Sequence, residues 1–143
     1  MTISQADAQL LDLLREDARA STAALARRLG VSRTTVQSRI ERLQHSGIIA
    51  GYTVRLGQAM ERQQVRAHIS ITVMPKKMPA VVRALQAIAA VRSLHSVSGV
   101  HDLVAMAAVD GVAAMDELTD AIGAIDGVER TTTAVILGTK FER

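Results

Sequence analysis

The feature that most restricts the fold lies between residues 21 and 45. Two short helical patterns stand there with only Gly30 and Val31 between them. Ser21 offers its hydroxyl to the free backbone N–H groups of one first turn, and Ser32 does the same for the next. Leu25, Ala26 and Leu29 fall on one face of the first pattern, over 21–29. Val36, Ile40 and Leu43 recur at four- and three-residue steps in the second, over 32–45, which marks one buried stripe. Gly30 occupies the position where a left-handed residue ends a helix. This is the spacing of a helix-turn-helix, whose second helix lies in the DNA major groove and whose early residues meet base edges.

The neighbouring residues fit that frame. Ser4 can cap an earlier helix whose apolar face is Leu10, Leu11, Leu13 and Leu14, so residues 4–47 read as three helices closed by Gly47. The run 48–54 sets Gly51 among β-formers, the pattern of a small hairpin or wing. We therefore expect a winged helix-turn-helix over 1–54. Residues 55–66 are polar and read as a linker.

From residue 67 the pattern changes. Ile69, Ile71 and Val73 alternate with polar residues as a strand buried on one face. Pro75 to Pro79 make a turn, with Pro79 suited to a first helical turn, and Val81, Val82, Leu85 and Ile88 continue as an amphipathic helix. Strands follow over 91–97 and 101–109, joined by a turn at Ser98 and Gly99. A second helical stripe holds Val112, Met115, Leu118, Ile122 and Ile125, and the last strand spans 128–137. The order β-α-β-β-α-β predicts a ferredoxin-like domain over 67–143, giving an α+β chain. Two helices cover one face of such a sheet, yet 103–109 and 134–137 are apolar on both faces. The second face is thus expected to be a subunit interface. The methionines read as core filler.

Charge is divided in the same way. Residues 1–66 carry ten arginines against six acidic residues, whereas residues 67–143 carry seven bases against eight acids. A basic first half beside a near-neutral second half points to a polyanion met by the first half alone. The buried stripe of the third helix leaves Arg33, Thr34, Gln37, Ser38, Arg39 and Arg42 outward, with Ser32 at its start. Arg33, Gln37, Ser38 and Arg39 are candidates for base or phosphate contact, and Arg27, Arg28 and Arg42 for phosphate anchoring.

Composition excludes other classes. There are no cysteines, which removes disulfides, thiol catalysis and cysteine-bound zinc. No apolar run is long enough to span a membrane, and the start of the chain carries Asp7 and lacks a signal-peptide pattern, so a cytoplasmic protein is expected. The four histidines are scattered, giving no metal site. No nucleophile elbow, phosphate loop or metal motif is present, and His101 and Asp102, adjacent in an expected strand, would point to opposite faces. We expect neither catalysis nor a resident cofactor.

The residues carry a resemblance. Leu11-Asp12-Leu13-Leu14, Arg19-Ala20-Ser21-Thr22-Ala23-Ala24-Leu25-Ala26, the run from Gly30 to Leu43 and Gly47-Ile48-Ile49-Ala50-Gly51-Tyr52 closely resemble the Lrp/AsnC family, the leucine-responsive or feast-famine regulators. The second half is similar to that family's regulatory domain at Ser98-Gly99-Val100-His101-Asp102-Leu103 and over 127–137. The resemblance implies homodimers built by packing C-terminal sheets, assembled in some members to tetramers or octamers. It also implies binding to double-stranded DNA modulated by an amino acid or related metabolite. By position it points to Gly99, His101, Asp102, Thr131 and Thr133 as effector residues. A carboxylate such as Asp102 can pair with an ammonium group. The chain departs from the pattern in having His101 where an aromatic residue is common, which leaves the effector's identity open. A DNA-architectural protein that needs no effector is the alternative to a regulator.

Overall fold

Three serines start three helices. In the computed structural model, α1 (Gln5–Glu16), α2 (Thr22–Leu29) and α3 (Arg33–His45) each follow an extended serine whose hydroxyl accepts a backbone N–H from the first turn. Ser4 accepts from Asp7, Ser21 from Ala24 and Ser32 from Thr35, each at 3.1 Å. A cap of this kind is worth about 1 kcal/mol. The structure describes residues 3–57, 60 and 63–141, which fall into two compact units divided between Arg55 and Leu56. Among the described residues no helix is long and apolar enough to cross a membrane.

In the first unit the apolar faces of the three helices meet in one cluster of Leu10, Leu14, Leu25, Ala26, Val36 and Leu43. Ile40, Ile48 and Ile49 pack against it half-buried. The turn between α2 and α3 rests on Gly30, which sits at φ 66°, in the left-handed region that side chains disfavour. Its N–H bonds the Arg27 carbonyl, and the N–H of Val31 reaches back to Ala26 at 3.1 Å. These two bonds satisfy carbonyls that the end of α2 would leave unpaired, and Ser32 then opens α3 at once.

The hairpin expected after Gly47 is not formed. Residues 48–57 carry no strand pairing. Ile48 and Ile49 are drawn into the helical core, and the N–H of Ile49 bonds the Leu43 carbonyl at 3.0 Å, so the run is tied to α3. Beyond them Tyr52, Val54 and Leu56 are exposed, with Val54 at 83 %. Nothing in the run holds a second strand against the first. Residues 58, 59, 61 and 62 of the expected linker lie outside the described residues.

The second unit is an antiparallel sheet of β1 (Val65–Val73), β2 (Val91–Ser96), β3 (Leu103–Val109) and β4 (Val128–Val135), in the order β2-β3-β1-β4. Helices α4 (Met78–Gln86) and α5 (Val112–Gly123) supply the apolar cover; Pro75–Lys77 form a short 3-10 turn before α4. Ala67, Ile69, Ile71 and Val73 alternate as the buried residues of β1. They pack with Leu103, Ala105 and Ala107 of β3 and with Val81, Leu85, Met115, Leu118 and Ile122 of the helices. This is the ferredoxin-like arrangement that the element order predicted.

Strand register fixes the other face. His68 pairs with Met106 and Ala134, and Ser70 with Val104 and Thr132, so these side chains lie opposite the helices. That face mixes Val104, Met106, Ala108 and Ala134 with Ser70, Thr72, Thr132, His68 and His95, all half-buried or exposed. Three strands are shorter than expected: β2 stops at Ser96, β3 starts at Leu103 and β4 stops at Val135. His101 and Asp102 lie before β3, with the chain bent at Asp102, although the Asp102 N–H bonds the Ile71 carbonyl and its carbonyl accepts from Val97. The methionines are not uniformly core: Met115 is buried, whereas Met60 and Met74 are exposed.

Candidate nucleic-acid interface

The outward side of α3 is built by its buried stripe. With Val36 and Leu43 fully turned inward, Arg33, Thr34, Gln37, Ser38 and Arg42 stand exposed and Arg39 half-buried. Thr34, Thr35, Ser38, Arg39 and Arg42 together line a shallow open groove of about 440 Å³. Its polar groups are three hydroxyls and two guanidiniums, which can donate to phosphate oxygens and base acceptors.

The predicted residues are not all equivalent there. Thr34, Ser38, Arg39 and Arg42 are brought together in the groove; Arg33 and Gln37 do not line it. Gln37 instead donates to the Glu41 carboxylate at 2.9 Å, one turn along the helix. Ser32 is committed to capping, bonded to both the N–H and the hydroxyl of Thr35. Arg28, on α2, pairs with Glu16 of α1 at 2.8 Å, both exposed. Arg27, Arg33 and Arg39 form no ion pair with the described residues.

Two residues escaped the sequence reading. Thr35 both receives the Ser32 cap and lines the groove; its position three residues after a capping serine was the available signal. Asp7 is the buried charged side chain of the first unit, 6 % exposed. Its carboxylate accepts from the Ser4 hydroxyl at 2.6 Å and from Arg42 Nη2 at 2.6 Å. The Ser4 hydroxyl holds this carboxyl below its ordinary range, against the opposing effect of burial, and the positive charges of Arg42 and Arg39 add to the lowering. An acidic residue three positions after Ser4 resembles a capping box, but its bond to α3 spans 35 residues and leaves no local signature.

The predicted effector residues lie in the second unit on two sides of β1. Asp102 Oδ2 accepts the backbone N–H of Val73 at 2.8 Å, while its own N–H bonds the Ile71 carbonyl at 3.0 Å. His101 Nδ1 stands 3.2 Å from the Thr72 hydroxyl. Gly99 is exposed in the preceding turn at φ 115°. Thr131 and Thr133 pair with Ile71 and Ile69 from the β4 side, half-buried on the face that the helices cover. The side chains of His101 and Asp102 bond to β1, and the Asp102 carbonyl accepts the N–H of Val97; among the described residues none of these bonds runs to either threonine.

Comparison with known proteins matches both halves. Residues 3–44 match the AsnC-type helix-turn-helix domain, and residues 66–143 the Lrp/AsnC ligand binding domain. The chain is 34 % identical over 136 residues to the HTH-type transcriptional regulator LrpA of Pyrococcus horikoshii, covering 94 % of this chain and 96 % of that protein. It is 37 % identical over 129 residues to LrpA1 of Halobacterium salinarum, covering 90 % and 91 %. Among solved structures, AsnC of E. coli superposes with a TM-score of 0.90 at 25 % identity, over 100 % of this chain and 97 % of that one. A transcriptional regulator of Neisseria meningitidis, solved as an L-Met complex, shares the fold with a TM-score of 0.90 at 19 % identity, over 99 % and 94 %. These relatives are regulators, not enzymes. The chain belongs to the Lrp/AsnC family of helix-turn-helix transcriptional regulators, and its second unit is that family's ligand-binding domain.

Proposed function

We propose that this chain binds specific DNA sequences through the outward side of α3, as a homodimer, and that an amino acid or related small metabolite modulates that binding. The groove lined by Thr34, Thr35, Ser38, Arg39 and Arg42 carries the proposal, because it concentrates hydrogen-bond donors on the second helix of a helix-turn-helix. Ser38 and Arg39 contact bases or nearby phosphates; Arg27, Arg33 and Arg42 add phosphate contacts, each steepening the salt dependence by about 0.9 in log–log slope. Gln37 contacts DNA only after releasing Glu41. Thr34 and Ser32 flank the entry of the helix.

Dimerisation follows from the sheet face that the helices leave open and from exposed Tyr52, Val54 and Leu56. A twofold pair would set two copies of α3 about one DNA turn apart on a near-palindromic site. Pairs of dimers would extend this to a tetramer or octamer. The effector reading draws on the ligand-binding family match and on the L-Met complex of the Neisseria meningitidis regulator. Asp102 keeps Oδ1 for an ammonium group, since Val73 occupies Oδ2. Gly99, His101, Thr131 and Thr133 complete the proposed effector set.

The test is selection of duplexes from a random-sequence library by the full chain, followed by titration with and without a panel of amino acids. A preferred two-part site, resistant to excess random DNA and shifted in affinity by one of the amino acids, is expected. Equal competition by random DNA would replace this reading with the architectural one. A preferred site indifferent to every amino acid would remove the effector.

A further inference from the structure

We propose that Asp7 is a positioning residue for sequence-selective DNA binding: its buried carboxylate fixes the direction of the Arg42 guanidinium at the edge of the α3 groove. The inference rests on the DNA reading above and adds to it a residue on a different helix.

The geometry is asymmetric. Asp7 is shielded from water at the start of α1, while its partner Arg42 has 62 % of its side chain exposed and lines the groove. Taking a carboxylate out of water is unfavourable unless hydrogen bonds and an opposite charge compensate. Both are present: the Ser4 hydroxyl holds Oδ2 and Arg42 Nη2 holds Oδ1, each at 2.6 Å. An apolar residue at position 7 would join α1 to α3 with no such cost. The carboxylate therefore adds direction at Arg42 more than cohesion between helices.

A guanidinium has five N–H donors in a rigid plane. Asp7 takes Nη2 as its partner, which leaves donors on the rest of that plane for a phosphate. Free in solvent, an arginine side chain samples many rotamers; held at one end, it presents its plane in one orientation. Arg28 is the contrast. Its partner Glu16 is itself exposed, and such surface pairs constrain little.

Phosphate contacts set the register of a recognition helix, and base contacts then read the sequence. The negative charge of Asp7 also offsets part of the charge on Arg42. Asp7 thus raises discrimination between sequences without raising attraction for DNA in general.

The test uses the full chain and two probes in anisotropy titrations: a duplex that the wild type recovers from a random-sequence library, and a scrambled duplex of equal composition. In Asp7→Asn the ratio of the two affinities falls about fivefold or more, while affinity for the scrambled duplex holds or rises. Ser4→Ala moves the ratio the same way to a smaller extent, and serves alone if Asp7→Asn does not fold. In an Arg42→Gln background, Asp7→Asn causes no further fall. An unchanged ratio, a parallel loss on both duplexes, or an equal fall without Arg42 overturns the positioning role. A wild type that recovers no preferred duplex defeats the DNA reading itself, before any variant is measured.

Discussion

Asp102 Oδ2 lies 2.8 Å from the backbone nitrogen of Val73, closing the end of β1 where its ladder with β3 runs out. A buried or half-buried N–H left without an acceptor costs about 1–3 kcal/mol. Asp102→Ala is therefore expected to lower the unfolding free energy by that amount, and Asp102→Asn, which keeps an acceptor oxygen, by less. Urea denaturation of the two variants checks this. Equal losses would mean that the bond to Val73 contributes nothing.

Gly127 and Lys77 meet so closely that a methyl group cannot be added. A Cβ at Gly127 would lie 2.3 Å from the Lys77 Cβ, and the backbone there is at φ 100°. Gly30 has a similar backbone handedness but open space around it. Gly127→Ala should therefore cost more than Gly30→Ala, which carries only the conformational penalty of about 1–2 kcal/mol. Thermal unfolding of both variants decides the order; a smaller loss at Gly127 would contradict it.

Acid should weaken the first unit through Asp7. Its folded carboxyl titrates below the ordinary value, mainly because of the Ser4 hydroxyl bond, so the native state prefers the ionised form. The resulting stabilisation is complete above the unfolded pKa of about 4 and is lost as pH falls through the lower folded value. A stability–pH profile of Asp7→Asn should show a shallower acid limb than the wild type below about pH 4. Parallel profiles would show that Asp7 is not the group responsible.

Arg39 and Arg28 differ in partner, and the difference should appear in salt dependence. Arg39 lines the groove and has no ion pair with the described residues, whereas Arg28 lies on α2, does not line the groove and has its charge offset by Glu16. Arg39→Ala is expected to weaken binding to a selected duplex about tenfold, with the salt slope reduced by about 0.9. Arg28→Ala should leave both nearly unchanged. The reverse ranking in a salt titration would move the interface from α3 to α2.

Local chemistry was legible in the sequence and long-range contacts were not. Ser4, Ser21 and Ser32 announced three helix starts because a cap involves residues three apart, and each one forms. Alternation of Ile69, Ile71 and Val73 gave the buried face of β1, and the element order gave the sheet topology. The run 48–54 misled because β-propensity reports a fit to a pleated surface, not the presence of a partner strand. The apolar tail over 134–137 overran β4 for the same reason.

The candidate interface divided along the same line. Which side of α3 faced outward followed from Val36, Ile40 and Leu43. Which arginines carry an acidic partner did not, since Glu16 and Asp7 reach Arg28 and Arg42 only through the tertiary fold. Asp102 was read for its charge, yet its bond to Val73 depends on strand pairing that no local spacing encodes.

The most direct test of the account is site-specific crosslinking from α3. A photoreactive residue in place of Ser38, which lines the groove, should form adducts with the bases of a selected duplex, whereas the same group in place of exposed Asp12 on α1 should not. A stable complex that yields base adducts from position 12 and none from position 38 would contradict entry of α3 into the DNA groove.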